Sequence, residues 1–306
     1  MILLLEQILN GIQFGLLLFL MAAGLTLIFG IMDFMNLAHG SFFMVGAYLA
    51  TTLIAWTDNF LLGLILATAA TILVSLLIER LCLRDFFRRT HLDQVLATFA
   101  IILISNDVVR MVWGDSGLTL QVPEMLRGYV QVLPGVHYPL YRCMIILLGL
   151  LMAAGLYILV QRSRLGMVIR AGASNREMAG ALGANIPLLF ASIFGLGAAL
   201  AAIAGIVAAP ILTVQSGMGD DILILALVLV VIGGIGSIRG AFLAAMLVGL
   251  VDSLGRSYFP VLLDQILTPA AASAISAALS SMLVYVLLAV VLLWRPEGLL
   301  PVNRSR

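Results

Sequence analysis

Long apolar runs recur along this 306-residue chain and constrain its fold more than any other feature. Most of these runs have about 18 residues or more, which is enough to cross about 30 Å of hydrocarbon as a helix. Because lipid offers no hydrogen bonds, each crossing segment must satisfy its own backbone polar groups, so repeated runs predict a helical bundle. The composition agrees, since 63% of the residues are hydrophobic and only 10% are charged. We predict an all-α, polytopic integral membrane protein and exclude a soluble globular domain.

The apolar runs divide into nine segments, and we expect eight to ten crossings. Two regions are weak. The segment 222–236 is shorter than the roughly 20 residues of a full crossing, and the stretch 31–40 is interrupted by glycine and polar residues. Such interruptions are typical of discontinuous transporter helices. The nine segments lie near 7–30, 38–57, 60–79, 92–113, 138–161, 188–212, 222–236, 240–259 and 274–294.

A weak internal repeat accompanies the two interrupted regions. The stretch "LTLIFGIMDFMNLAHGSFFMVGAYLA" (25–50) resembles "LVLVVIGGIGSIRGAFLAAMLVGLV" (227–251). Both contain an apolar helix, a glycine, a broken stretch and a second apolar helix that itself contains glycine. Short or interrupted segments at matching positions of two halves point to a solute pathway. The sequence leaves open whether the repeats are parallel or inverted.

Several classes of function are disfavoured by the residues that the chain contains. All sixteen basic residues are arginine, so the phosphate-binding lysine of a P-loop is missing, and any ATP must be bound by another chain. The net charge of +1 argues against a nucleic-acid partner. No Ser/His/Asp, paired-carboxylate or zinc-protease pattern occurs, so we do not expect an enzyme. His39 has no second His or Cys at ligand spacing, so we expect no metal site.

Arginine placement orients the segments, because cytoplasmic loops collect Lys and Arg. If the N-terminus is outside, the arginines split twelve to four in favour of the cytoplasm. The cytoplasmic group comprises Arg80, Arg84, Arg88, Arg89, Arg162, Arg164, Arg170, Arg176, Arg239, Arg295, Arg304 and Arg306, and the exterior or boundary group comprises Arg110, Arg127, Arg142 and Arg256.

This orientation assigns the main connections to the two sides of the membrane. The connections 80–91 and 162–187 and the tail 295–306 are expected inside. The connection 114–137 is expected outside, as an ordered loop or half-helix. The chain 1–306 then forms a single transmembrane domain.

The stretch "MDFMNLAHG" places Asp33, Asn36 and His39 between two apolar segments, with Ser41 just beyond. Polar and ionisable groups near membrane depth are costly and usually face a bundle interior or a cavity. One interpretation makes these four residues part of a translocation path, with a helix break whose amides and side chains meet a polar solute. The alternative is a structural turn, in which Asn36 caps the following helix and His39 bonds to backbone.

The connection 162–187 is too long and too patterned for a bare linker. Its part "NREMAGALGAN" predicts a short cytosolic helix that ends at Gly183, with Ser174 or Asn175 as the N-cap and Glu177 in the first turn. Such a helix can present a docking face to another protein. The alternative is a solvated linker helix without a partner.

Three stretches resemble the permease subunits of ABC importers of the branched-chain amino acid type, and in particular the LivH-like member of the permease pair. They are "GLTLIFGIMDFMNLAHGSFFMVGAY" (24–48), "SRLGMVIRAGASNREMAGALGANI" (163–186) and "VIGGIGSIRGAFLAAMLVGLV" (231–251). The layout of nearly the whole chain also matches. After "ER" at 79–80, the sequence departs from the family's usual basic-proline element.

The resemblance implies a multi-pass protein of the bacterial inner membrane that pairs with a second, homologous permease. It implies two ATPase subunits that bind ATP and Mg²⁺ on the cytoplasmic side, and an extracytoplasmic solute-binding protein. It also implies that the short helix of the connection 162–187 is the coupling helix, which docks on an ATPase, and Glu177, Met178, Ala179 and Gly183 fall on its family pattern. Members of the family import leucine, isoleucine and valine, and others import urea, short amides or other organic solutes. A transporter or channel that works without ATP is the alternative from a different class.

Overall fold

The computed structural model describes residues 2–133 and 136–301, most of them helical. Nine of its helices coincide with the nine predicted apolar segments to within a few residues. Residues 302–306, with Arg304 and Arg306, lie outside the described part of the chain. The α-helices are α1 (Ile2–Met32), α2 (His39–Thr57), α3 (Phe60–Ile78), α4 (His91–Trp113), α5 (Leu140–Arg162), α6 (Arg164–Ser174), α7 (Arg176–Ala181), α8 (Ile186–Ala208), α9 (Met218–Gly233), α10 (Ile238–Leu263) and α11 (Pro269–Trp294).

Shorter elements occupy two of the connections. Glu79–Leu83 forms a π-helical turn and Arg84–Arg88 a 3₁₀ turn between α3 and α4. Between α4 and α5, a 3₁₀ turn at Glu124–Leu126 precedes the antiparallel strands β1 (Tyr129–Leu133) and β2 (Val136–Pro139).

Eight of the described helices are long and apolar enough to cross a membrane. The ninth apolar segment is α9, whose 16 residues rise only about 24 Å as an α-helix. The prediction of eight to ten crossings in a helical membrane protein is confirmed. The short helix α9 corresponds to the segment 222–236, which was predicted to be shorter than a full crossing.

Of the two forms expected for the connection 114–137, an ordered loop or a half-helix, its described residues take the first, in which a 3₁₀ turn precedes the β1–β2 hairpin. Three of the five residues in "YVQVL" are β-branched or aromatic, which suits a strand, so the purely α-helical prediction misses a local sheet. Burial raises the pKa of Tyr138 to about 12, so its hydroxyl stays protonated at neutral pH. That hydroxyl donates to Asn10 Oδ1 at 3.2 Å and ties the hairpin to α1. We name the end of the bundle with residues 114–139 the hairpin end.

The opposite end carries the connections 79–90 and 163–185, and we name it the arginine end. The last described residues return to it, since the amide of Leu299 donates to the carbonyl of Ile232 near the end of α9. The ten described arginines of the predicted cytoplasmic group lie at this end, and the other four lie towards the hairpin end. The predicted grouping of the arginines is therefore found. The side of the membrane that each end faces stays a prediction.

A labelling experiment tests the orientation of the two ends. Asp115 and Ala171 are both exposed, at the hairpin end and the arginine end respectively. In a background without Cys82 and Cys143, we expect Asp115→Cys to react with an impermeant thiol reagent added outside intact cells. Ala171→Cys should react only after the membrane is opened. Equal labelling of both positions in intact cells would overturn the orientation.

The core of the bundle is built around α1. Its residues from Leu16 to Ile28 are nearly all buried, which requires neighbours on every side. These neighbours are α10, α8, α5 and α9. By contrast, α3, α4, α5 and α11 expose large apolar side chains along much of their length, as expected for helices that face lipid.

Small residues set the approach of α8 to α2. Ala201, Gly205 and Ala209 stand four residues apart and are all buried. A Cβ atom on Gly205 would lie 2.0 Å from the carbonyl oxygen of Phe43, so the two backbones are in direct contact. Contacts of this kind are the usual basis of helix packing in membranes.

The two halves of the internal repeat run in the same direction. In each, one helix runs from the hairpin end to the arginine end and the next returns: α1 to α2, and α9 to α10. The two breaks adjoin, since a Cβ atom on Gly30 would lie 2.7 Å from Gly236 Cα. The repeat therefore has the parallel arrangement that the sequence left open.

Candidate functional site

The break between α1 and α2 is an irregular segment held against α4. It begins at Asp33, whose φ of +51° is uncommon for a residue other than glycine. The amide of Met35 donates to Gln94 Oε1 at 3.1 Å, and Thr98 Oγ1 donates to the carbonyl of Met35 at 3.4 Å. Side chains of α4 thus satisfy backbone groups that the interrupted helix leaves free.

The helix after this break begins inside the bundle. His39, its first residue, has Nε2 3.2 Å from the carbonyl oxygen of Met21. Met21 lies eleven residues before the end of α1, or about 16 Å along the helix axis. The helix α2 therefore begins well inside the bundle, as expected for the predicted discontinuous helix.

The start of α9 is also set inside the bundle, below the hairpin end. Asn106 Nδ2 donates to Asp220 Oδ2 at 3.1 Å, and Ser216 Oγ donates to the carbonyl of Asn106 at 3.2 Å. Asn106 lies seven residues before the end of α4, or about 10 Å along its axis. The short α9 therefore begins below the level at which α4 ends.

The first turns of α2 and α9 meet. A Cβ atom on Gly219 would lie 2.1 Å from the carbonyl oxygen of Gly40, so only glycine fits on both sides of this contact. The first amides of a helix have no partner within it, and its N-terminus carries partial positive charge. Two such ends converge within the interior of the protein.

Three of the four predicted pathway residues lie at the start of α2 and are fully buried. Asn36, His39 and Ser41 are at most 2% exposed. Both polar side-chain atoms of Asn36, Nδ1 of His39 and Oγ of Ser41 have no hydrogen-bond partner among the described residues. Buried polar groups normally form hydrogen bonds. A polar solute could supply the partners that these atoms lack.

The alternative interpretation of this stretch, a structural turn, agrees with the structure only in part. Asn36 does not cap α2, because Ala38 precedes the helix and no side chain caps it. The predicted bond of His39 to backbone is present, through Met21. Asp33 is separated from the other three, since it is exposed and lines a cavity at the arginine end.

The connection between α5 and α8 folds into two helices at the arginine end. Asn175 is the N-cap of α7, as predicted, and its Oδ1 accepts from the amide of Met178 at 2.9 Å. The helix ends at Ala181, and Gly183 follows with a φ of +92°, a left-handed conformation that favours glycine. The helix α6 before it was not predicted.

The four predicted coupling residues do not share one environment. Glu177, Met178 and Gly183 are exposed, with Met178 at 58%. Ala179 is buried against the chain itself, at 5% exposure. Leu182, which the sequence reading did not select, is 82% exposed and completes an apolar outer surface with Met178. A short helix at the end of the bundle with an apolar exposed surface has the form of a docking element.

Two residues that shape this site were not predicted from the sequence. Gln94 and Asn106 of α4 hold the breaks before α2 and α9, yet both read as ordinary polar residues in an apolar helix. The signal that could have pointed to them is their position, because polar side chains within a crossing usually face the bundle interior.

The comparisons with known proteins identify the family. The model of the family described as branched-chain amino acid transport system / permease component matches residues 7–292. The high-affinity branched-chain amino acid transport system permease protein BraD of Pseudomonas aeruginosa is 30% identical over 97% of this chain and 95% of its own. LivH of Escherichia coli is 27% identical, covering 83% of this chain and 86% of its own. A probable LivH of Methanocaldococcus jannaschii is 28% identical, with 83% and 82% covered. No solved structure matches the chain.

The fold and the two breaks define a multi-pass helical transport protein of the cell membrane, with helix N-termini that meet in its interior. The chain belongs to the family of permease components of branched-chain amino acid transport systems. It is a permease component of a transport system and not an enzyme.

Proposed function

We propose that this chain imports branched-chain amino acids across the bacterial inner membrane as one of two homologous permeases. Two ATPase subunits bind ATP and Mg²⁺ at its arginine end, and an extracytoplasmic binding protein delivers solute to its hairpin end. The observation that carries this proposal is the match of nearly the whole chain to permeases named for these solutes. The lack of any lysine supports a separate ATP-binding chain.

We place the solute path at the meeting point of α2 and α9. Positive helix ends in discontinuous transporter helices suit an anionic group such as the carboxylate of an amino acid. The unpaired side chains of Asn36, His39 and Ser41 add hydrogen-bonding groups at the same place. In the conformation described, these residues are closed off, so they meet solute only when the path opens.

We assign the coupling of ATP hydrolysis to α7. Its outer surface, formed by Met178 and Leu182 with Glu177 beside them, has no covering element within the described part of the chain. A partner that moves α7 also moves α8, because Ala179 on the inner side of α7 is buried and the two helices are in contact. Since α8 contacts α2 at Gly205, the motion has a direct route to the start of the proposed path.

The solute class is tested by uptake into vesicles that contain this chain, its partner permease and the ATPases, with the binding protein added. We expect leucine, isoleucine and valine to be accumulated and to compete with one another. Urea and acetamide should not compete. Accumulation of urea or an amide in place of leucine would keep the importer and reject the proposed solute.

A further inference from the structure

A cavity of about 770 Å³ lies at the arginine end, between the ends of α1 and α5, the helix α6 and the start of α10. This volume is within the usual range of small-molecule sites. Asn36, His39 and Ser41 do not line it. The cavity is therefore a second feature, formed within one subunit and separate from the proposed path.

Part of the lining is positively charged and unneutralised. Arg170, Arg176 and Arg239 all line the cavity, and none takes part in the ion pairs formed by the described residues. Each contacts a neutral group instead. Arg239 Nη2 donates to Tyr157 Oη at 3.3 Å, Arg176 lies over the ring of Phe190, and Arg170 donates to a backbone carbonyl.

The start of α10 adds to this positive character. Ser237 caps the helix and accepts from the amide of Gly240 at 3.1 Å. The amides of Ile238 and Arg239 belong to the first turn, where helical partners are missing. Helix N-termini of this kind attract carboxylate and phosphate groups, and three arginines beside one strengthen that attraction.

Another part of the lining has the opposite character. Asp33 lines the cavity and is exposed, and its φ of +51° is uncommon for a residue other than glycine. Gly30 and Ile31 belong to the last turn of α1, whose final carbonyls lack helical partners and carry partial negative charge. A cationic group would be stabilised here.

A further part of the lining is aliphatic. Leu27, Val160, Ile169, Ile235 and Ile238 contribute branched apolar side chains. One cavity thus combines an anion-binding part, a cation-binding part and an aliphatic surface. An α-amino acid with an aliphatic side chain carries these three features in one small molecule.

We propose that this cavity binds a free aliphatic α-amino acid from the side of the arginine end, with its carboxylate at Arg239 and its ammonium at Asp33. The proposal rests on the proposed function for the solute class and for the orientation of this end to the cytoplasm. Bound solute would contact α6 and the start of α7 as well as the end of α1 and the start of α10. It would stabilise one position of the coupling segment, so accumulated product would slow further import.

Equilibrium binding of radiolabelled leucine tests the site. The sample is the complete complex of permeases and ATPases in lipid nanodiscs, without the binding protein. We expect saturable binding that Asp33→Asn and Arg239→Gln each weaken at least tenfold. Both residues are exposed, so neither change should disturb folding. Arg88→Gln, an exposed arginine of the other connection at this end, is the matched control and should bind as the unmodified complex does.

Two analogues test the recognition of both charged groups. Leucinamide lacks the carboxylate and 4-methylpentanoate lacks the ammonium, so neither should displace leucine at concentrations where isoleucine does. Absence of leucine binding, or binding that both variants leave unchanged, would overturn the proposal. Displacement by inorganic phosphate or glycerophosphate, with no competition by isoleucine, would overturn it in favour of a phosphate site.

The regulatory consequence has its own readout. Vesicles preloaded with leucine should show slower uptake than empty ones in the unmodified complex, and Asp33→Asn should abolish the difference. Uptake of leucine without binding to this cavity rejects the cavity proposal alone. Failure to import leucine rejects the proposed solute, while variant-sensitive leucine binding in that case would still support the cavity.

Discussion

Replacing Gly183 with tryptophan is expected to lower ATP-driven uptake at least tenfold while the permease stays folded in the membrane. A Cβ atom on Gly183 would meet nothing within 4 Å among the described residues, so a side chain there starts in open space. If α7 docks in a cleft of an ATPase, the same bulk overfills that contact, at a cost of about 1–3 kcal/mol for a few extra methylenes. Co-purification of the ATPases and uptake into vesicles measure the effect.

The control for this change is Gly183→Ala. At the φ of +92° found here, any side chain strains the backbone by about 1–2 kcal/mol, and alanine adds that strain without the bulk. We expect Gly183→Ala to keep most of the uptake. Glu177→Gln should also have a small effect, of about 0.3–1 kcal/mol from the helix terminus. Full uptake with Gly183→Trp would mean that the stretch is only a linker.

The second large effect is expected for Asn36→Leu, which should lower uptake at least tenfold without loss of assembled complex. Both polar side-chain atoms of Asn36 are buried and unpaired. Removing an unpaired buried polar group relieves a cost of about 1–3 kcal/mol, so stability should hold or rise. Transport should fall, because the proposed path loses a group that meets solute. Uptake, complex yield and thermal unfolding are measured together.

Thr71→Val is the matched control, since Thr71 is also fully buried but bonds to the carbonyl of Ala67 within α3. It should leave the uptake rate per complex unchanged. If Asn36→Leu prevents assembly, Asn36 has a structural role and the proposed path loses its main support. If it leaves uptake intact, the path lies elsewhere.

The elements that sequence predicts well are those determined by local composition. Hydropathy alone located all nine apolar segments, including the short one that became α9. The N-cap at Asn175 was also predictable, because the cap and the amide it accepts from are three residues apart. The grouping of the arginines followed from loop composition alone.

The features that the sequence missed depend on contacts between distant residues or on packing. Asn106 and Asp220, which set the start of α9, are 114 residues apart. The helix α6 contains two glycines that lower its propensity, and burial of Ile169 and Gly172 offsets that loss. Asn36 was a plausible cap from the sequence alone. The break is held instead by side chains of α4, which are distant in the sequence.

The central claim is that this chain moves amino acids only when a partner ATPase drives it. The most direct measurement is leucine accumulation in proteoliposomes that contain the purified complex. ATP is enclosed on the side of the ATPases, and the binding protein is added outside. We predict accumulation against a gradient that requires both ATP and the binding protein and that Gly183→Trp abolishes. Equal flux without ATP, running only down the leucine gradient, would contradict the account and identify an ATP-independent transporter or channel.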